Sequence, residues 1–248
     1  MPGLIKKQEF RDNCGFGLIT NIHGEKSHKL IINSIKALES MAHRGAIGSD
    51  GKTGDGCGLL FDIDHDFYRN TLLKEENIKL PETYAIGQVF YKDDISKILP
   101  KIKKILGKEK LKLLACRNVP VNKNILGKIA FKYAPNIYQL FITLDEKVFN
   151  DQEFETNLLQ ARKFIEELYL DDETLYICSF SSKTIVYKGL MLPDAIKEFY
   201  IDISQKDFRA SSCVFHQRFS TNTSPRWHLA QPFRLLAHNG EINAIRGN

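Results

Sequence analysis

Hydrophobic residues that recur every three or four positions predict three helices. The clearest covers residues 27–41, with an apolar side that contains Ile31, Ile35 and Leu38. Ser27 can cap the first turn of this helix and Gly45 can end it. A second helix is predicted over residues 151–170, and a shorter third helix over residues 192–203.

Runs rich in aliphatic and aromatic residues predict strands between these helices. They cover residues 59–61, 84–91, 111–117, 137–144, 211–219 and 233–238. Two further runs, residues 175–179 and 183–187, are predicted to form a hairpin that turns at Ser181 and Ser182. Strands and helices come in clusters and do not alternate strictly. This order favours an α+β fold with antiparallel sheets over a doubly wound parallel sheet.

The composition is typical of a folded protein without a membrane span. The chain has 248 residues, of which 43% are hydrophobic, and no run approaches the roughly 20 apolar residues that a span needs. The first residues lack the apolar core of a secretory signal, so we expect a cytoplasmic protein with no membrane partner.

The net charge of +5 is weak support for a nucleic-acid partner. Much of the excess lies in residues 97–112, a lysine-rich stretch without arginine or aromatic residues, which we interpret as a solvated helix face. No nucleic-acid partner is therefore expected. The five cysteines form no Cys-x-x-Cys pair, which argues against both a disulfide framework and a zinc site, and no metal site is predicted.

Three clusters of polar residues and glycines are candidates for chemistry. The first surrounds Cys14, which lies between polar turn residues and two glycines, Gly15 and Gly17. A cysteine in this setting is expected to be accessible, and its thiolate could act as a nucleophile. The alternative is a small hydrophobe packed in the core, which is the common role of a single cysteine.

The second cluster covers residues 43–45, His-Arg-Gly, and leads into a glycine-rich loop over residues 48–58. Residues 51–53 match the end of a phosphate-binding loop. They follow a helix, however, and position 46 is not the glycine that the pattern needs. Phosphate binding is therefore not favoured.

The third cluster runs from residue 216 to residue 243 and is the most specific. Arg218 can hold a carboxylate through a forked pair of charge-assisted hydrogen bonds, and Thr221 adds a hydroxyl donor. Asn239 and Gly240 could form an ordinary hairpin turn, which is the commonest meaning of Asn-Gly. They could also place a side-chain amide beside a backbone N–H, which is the usual construction of an oxyanion hole.

Together the clusters resemble the class II glutamine amidotransferases, a family of N-terminal nucleophile (Ntn) hydrolases, and within it the glutaminase domains of glutamate synthases. The similarity is carried by residues 14–17, 43–45, 53–56 and 216–248, whose order and spacing agree with the family. Cys57 departs from the small residue, such as Ala, that the family leads us to expect. We interpret Cys57 as packing.

The resemblance implies that residues 1–13 are a propeptide and that residues 14–248 are a partial amidotransferase domain. Once Cys14 is the first residue, its thiol is the nucleophile and its own α-amino group is the base. A reference pKa of roughly 7.7–8.0 suits that amine for proton transfer near neutral pH. We expect the cleavage to be autocatalytic, through attack of the Cys14 thiol on the carbonyl of Asn13.

The resemblance also implies roles for the other candidates. Asn239 and Gly240 would stabilise the oxyanion, and Arg218 with Thr221 would bind the substrate carboxylate. Arg44 would order the nucleophile and the glutamine loop, although an arginine at a helix end can instead bind the last helical carbonyls.

The implied fold is a four-layer αββα sandwich of two antiparallel sheets flanked by helices, in which the nucleophile begins a central strand. The family's domain continues past residue 248, so we expect a sandwich that is incomplete at its C-terminal end. The acidic residue for the substrate's amino group would lie beyond this sequence.

The expected partners are L-glutamine and a synthase domain that uses ammonia to aminate 2-oxoglutarate. No cofactor is expected in this chain, whereas FMN and an iron–sulfur cluster are expected in the full-length family protein. Two alternatives stay open: an Ntn hydrolase of another amide, and a non-catalytic or inactive truncated module.

Overall fold

The computed structural model describes residues 14–145, 150–169, 174–220 and 224–233. The strands within these ranges are β1 Gly15–Thr20, β2 Cys57–Asp62, β3 Ala85–Tyr91, β4 Leu111–Asn118, β5 Asn136–Leu144, β6 Leu175–Ser181, β7 Thr184–Gly189 and β8 Ser212–Gln217. The α-helices are α1 His28–Ser40, α2 His65–Glu76, α3 Leu99–Lys108, α4 Lys128–Lys132, α5 Asp151–Glu167, α6 Ala195–Phe199 and α7 Ile201–Ser204.

The strands form two four-stranded sheets, in the orders β1-β8-β2-β7 and β4-β5-β3-β6. Every pairing within the two sheets is antiparallel. The predicted α+β class is therefore confirmed, and the two sheets with their helices are consistent with an Ntn-hydrolase sandwich. Among the described strands, however, β1 is the outermost strand of its sheet, so the expectation of a central strand after Cys14 is not met here.

The second sheet belongs to the βαββαβ segment β3-α3-β4-β5-α5-β6, in which the short helix α4 lies between β4 and β5. The strand order of this sheet is that of the split βαβ arrangement. Helices α3 and α5 share one apolar cluster with this sheet through residues such as Ile102, Leu106, Leu158 and Leu140. The lysines of α3 face water, which confirms the prediction of a solvated helix face.

Helix α1 confirms the first predicted helix, including its cap. The Ser27 hydroxyl accepts a hydrogen bond from the N–H of Leu30 over 3.2 Å, and Ile31, Ile35 and Leu38 are buried. The helix ends at Ser40, and a short 3₁₀ turn over Ala42–Arg44 lies between it and Gly45. The prediction that Gly45 ends the helix was therefore wrong.

The predicted hairpin over residues 175–187 was also wrong, although both of its strands exist. Strand β6 pairs with β3 and strand β7 pairs with β2, so the turn carries the chain from one sheet to the other. The carboxylate of Glu155 in α5 holds this turn, accepting bonds from the Ser181 hydroxyl at 3.0 Å and from the Ser182 N–H at 2.6 Å. Both strands are buried along almost their whole length, as is typical of strands between packed layers.

The predicted helix over residues 192–203 is two short helices, α6 and α7. Tyr200 lies between them in an extended conformation, forms a bridge with Val121, and donates its hydroxyl to the carbonyl oxygen of Lys188 over 2.7 Å. These contacts explain the break. Of the strand predicted over residues 233–238, only Phe233 is described, and it is not in a strand.

The pattern of apolar residues did not predict strand β1, because two of its six residues are glycines; only the family resemblance implied a strand after Cys14. Gly17 is required by packing: a Cβ at this position would lie 2.5 Å from the ring of Phe215 in β8. The close approach of the ring to the backbone explains why a glycine-rich segment forms a paired strand here.

No helix within the described ranges combines the length and the apolar character needed to cross a membrane.

Candidate active site

Cys14 directly precedes β1, and its sulfur contacts the chain that leaves β8. The Sγ atom accepts a hydrogen bond from the N–H of Phe219 over 3.3 Å and lies 3.7 Å from the carbonyl oxygen of that residue. The register of the sheet explains the contact, since Gly15 pairs with Gln217. Cys14 is half-buried, so it is not sealed in the core.

Arg44 lies beside the residue that follows Cys14. A Cβ added to Gly15 would stand 3.2–3.3 Å from the side-chain carbons of Arg44 and 2.9 Å from the sulfur of Met41. The aliphatic part of Arg44 therefore packs against the backbone next to the candidate nucleophile. This position is compatible with the predicted ordering role.

Arg218 follows β8, and its side chain is buried beside Cys14. Its Nη1 donates to the carbonyl oxygen of Asp55 over 3.1 Å, and its N–H donates to the carbonyl oxygen of Gly56 over 2.9 Å. Burial lowers the pKa of Arg218, while Asp55 and Cys14 act in the opposite direction. The structure thus brings the predicted nucleophile and the predicted carboxylate-binding group into one site.

Asp55 is a site residue of the matched segment 53–56 to which the sequence analysis gave no role. Its side chain is buried, and Oδ2 accepts a hydrogen bond from the N–H of Ser220 over 2.7 Å. Burial raises the pKa of Asp55, whereas hydrogen bonds from Ser220 and Ala46 and the charge of Arg218 oppose the rise. Asp55 therefore fixes residues 218–220 beside the sulfur. The available signal was an acidic residue between two glycines, just before a buried strand.

Lys188 in β7 is a second buried charged group that sequence analysis missed. Its Nζ donates to the carbonyl oxygen of His228 over 3.0 Å and to the hydroxyl of Tyr176 over 3.3 Å. The bond to His228 joins β7 to residues 224–233, a described segment within the third cluster, and the bond to Tyr176 joins β7 to β6. A lysine within an otherwise apolar strand was the available signal.

Several predicted positions cannot be compared with the structure. Thr221, Asn239, Gly240 and the propeptide, residues 1–13, lie outside the described residues. Their roles stay predictions. Cys57 is buried, with its sulfur 3.4 Å from the carbonyl oxygen of Met191, which confirms its interpretation as packing. Within the described ranges, no group of three or more His, Cys, Asp or Glu residues could hold a metal ion.

Comparison with known proteins identifies the class of protein. A family model described as class II glutamine amidotransferases matches residues 14–248. The chain therefore belongs to the class II glutamine amidotransferases, a family of enzymes, and the start of the match coincides with Cys14.

The similar proteins are glutamate synthases. The chain is 41% identical to glutamate synthase [NADH] of Saccharomyces cerevisiae, over 99% of this chain and 12% of that protein. It is 39% identical to the glutamate synthase [NADPH] large chain of Bacillus subtilis, over 99% of this chain and 16% of that protein. It is 38% identical to a chloroplastic ferredoxin-dependent glutamate synthase of Oryza sativa, over 96% of this chain and 15% of that protein. The chain thus spans 12–16% of the length of these relatives.

Proposed function

We propose that this domain hydrolyses L-glutamine to glutamate and ammonia, with Cys14 as the nucleophile after residues 1–13 are removed. The observation that carries the proposal is the hydrogen bond between Cys14 and Phe219, which places the sulfur next to the buried Arg218. Membership of the amidotransferase family supports the same chemistry.

The proposed reaction begins with attack of the Cys14 sulfur on the side-chain amide carbon of glutamine. The α-amino group of Cys14 takes the thiol proton and later gives it to the departing ammonia. Asn239 and Gly240 stabilise the oxyanion of the tetrahedral intermediate. Water then hydrolyses the γ-glutamyl thioester and releases glutamate. The α-amino group is free only when the peptide bond between Asn13 and Cys14 has been broken.

Arg218 gives the proposed site its preference for an amino acid. Because its guanidinium is buried and bonded to the carbonyl oxygen of Asp55, it is held in one orientation before substrate binds. An arginine held in this way can bind the α-carboxylate of glutamine by donating two parallel hydrogen bonds. A substrate amide without a carboxylate would leave this charge unused, which argues against the alternative of an unrelated amide.

The ammonia is proposed to serve a synthase domain, and this part of the proposal is supported by the similarity to proteins named glutamate synthases. FMN and an iron–sulfur cluster belong to that part of the proposal. The described residues of this chain offer no metal-binding cluster, and no step above depends on either group.

The proposal is tested by measuring glutamate formation by the full-length protein. Cys14→Ala is expected to abolish it. Cys116→Ala is the matched control, because Cys116 is also half-buried but lies in β4, away from the site, and it should keep full activity. Arg218→Lys should mainly raise KM, since one charge remains but the forked contact is lost. Activity in Cys14→Ala would contradict the proposal.

A further inference from the structure

Residues 224–233 form a strap that packs closely against β2 and β7. A Cβ on Gly58 would lie 2.5 Å from the carbonyl oxygen of Gln231, and one on Gly189 would lie 2.6 Å from the ring of Trp227. The indole N–H of Trp227 donates to the carbonyl oxygen of Ala130 over 3.0 Å. Along the chain, this strap connects the Arg218 region with the Asn-Gly pair at residues 239–240.

Lys188 contacts the strap at two points. Its Nζ donates to the carbonyl oxygen of His228 over 3.0 Å, and it lies 4.6 Å from the centre of the Phe233 ring. On its other side it contacts Tyr176, donating to the hydroxyl over 3.3 Å and lying 4.6 Å from the ring centre. The ammonium group is therefore enclosed between two aromatic rings, a hydroxyl and a backbone carbonyl.

The environment of Lys188 is unusual for a group with only a packing role. The side chain is fully buried, and among the described residues no carboxylate forms an ion pair with it. Burial of an ammonium group opposes folding unless other contacts compensate for the lost water. Hydrogen bonds and aromatic faces offset part of that cost here. Two of these contacts, the hydrogen bond to His228 and the contact with the Phe233 ring, are made with the strap.

We propose that Lys188 is a positioning residue that fixes the strap against the Cys14 site. The strap reaches this site at Ala230, since a Cβ on Gly56 would lie 2.8 Å from the Cβ of Ala230, and the carbonyl oxygen of Gly56 accepts the N–H of Arg218 over 2.9 Å. The inference rests on the proposed glutaminase function, in which Arg218 binds the α-carboxylate and so sets the position of the substrate amide relative to Cys14. Displacements of about 1 Å in such a group can lower the rate on the order of 10²-fold. Lys188 itself contacts neither Cys14 nor the substrate in this account.

Lys188→Met provides the test, because methionine fills a similar volume and cannot donate the two hydrogen bonds of Lys188. Trp227 is the only tryptophan of the chain and lies in the strap, so its fluorescence reports the strap's position without any assay of activity. We expect red-shifted emission and stronger acrylamide quenching in Lys188→Met. We also expect kcat for glutamine hydrolysis to fall between about 10-fold and 10²-fold, with KM within about twofold of wild type.

Lys183→Met is the matched control, since Lys183 directly precedes β7 and its side chain is 59% exposed. It should change neither the fluorescence nor kcat. Tyr176→Phe, which removes only the hydroxyl acceptor, should shift the emission in the same direction by a smaller amount. It keeps the inference testable should Lys188→Met fail to fold.

The outcomes separate the two proposals. Wild-type emission in both Lys188→Met and Tyr176→Phe, or an unchanged kcat in a folded Lys188→Met, would overturn the role of Lys188. A wild-type protein that has lost residues 1–13 and still does not hydrolyse glutamine would overturn the proposed function. The fluorescence comparison still decides whether Lys188 holds the strap.

Discussion

At the residue scale, the buried Lys188 should make the free energy of unfolding depend on pH. Burial lowers the pKa of Lys188 to about 8, and the neighbouring Arg162 and Arg218 act in the same direction, whereas Cys178 opposes it. The ordinary value of 10.5 applies in the unfolded chain. Between these two values, the unfolded chain binds a proton that the folded protein has released.

The free energy of unfolding should therefore gain a contribution as pH rises from about 8 to 10.5. The penalty for burying the ammonium group is fully present below pH 8 and disappears as the folded protein loses the proton. The gain should be on the order of 3 kcal/mol. It is measured as the difference between wild type and Lys188→Met in urea unfolding at several pH values. A difference that does not change over this range would contradict the assigned environment.

The nucleophile and Arg218 could be predicted from the sequence because each belongs to a short motif. The contacts of Asp55 and the burial of Lys188 could not be predicted, because both depend on partners far along the chain. Asp55 bonds Ser220, which is 165 residues away, and Lys188 bonds His228, which is 40 residues away. A local pattern shows that such residues are polar, but only the fold shows what they hold.

At the element scale, periodicity predicted α1, α5 and most strands, but it did not predict the 12-residue helix α2. It also could not decide which strands pair. Strands β6 and β7 are adjacent in sequence and separated by a short turn, which is the ordinary signal of a hairpin. The Glu155 carboxylate holds that turn, and each strand pairs in a different sheet. The missed strand β1 has the same kind of cause, because its pairing depends on the distant strand β8.

A buried hydrogen-bond network joins the elements between the sheets. All five N–H donors of Arg117 in β4 form hydrogen bonds. The acceptors are side-chain oxygens of Asp202 in α7, Glu75 in α2 and Gln139 in β5. Gln139 in turn donates to the hydroxyl of Tyr187 in the other sheet over 3.2 Å. The network therefore connects both sheets and two helices through one guanidinium group.

Arg117→Met should lower the free energy of unfolding by about 3–5 kcal/mol, because it leaves the fully buried Asp202 without its partner. Urea unfolding measures the change. Arg69→Met is a suitable control, since Arg69 pairs with Asp66 at the surface of α2 and its side chain is 32% exposed. The control should be much less destabilised. An Arg117→Met protein about as stable as the control would show that the network contributes little.

At the scale of the whole molecule, the described chain combines two structural units. One sheet carries Cys14 and the residues around it, and the other belongs to the βαββαβ segment that fills the motif-free middle of the sequence. The α+β class could be predicted from the clustering of elements. The split βαβ order could not, because it depends on which strands pair across long separations.

The central claim is that the Cys14 sulfur becomes catalytic only when its own nitrogen is free. The direct measurement follows chain mass and glutamine hydrolysis in the same samples of full-length protein as residues 1–13 are lost. The account predicts that activity rises in proportion to the fraction of chains that begin at Cys14, and that Cys14→Ala keeps residues 1–13. Hydrolysis of glutamine by chains that still carry these thirteen residues would contradict it.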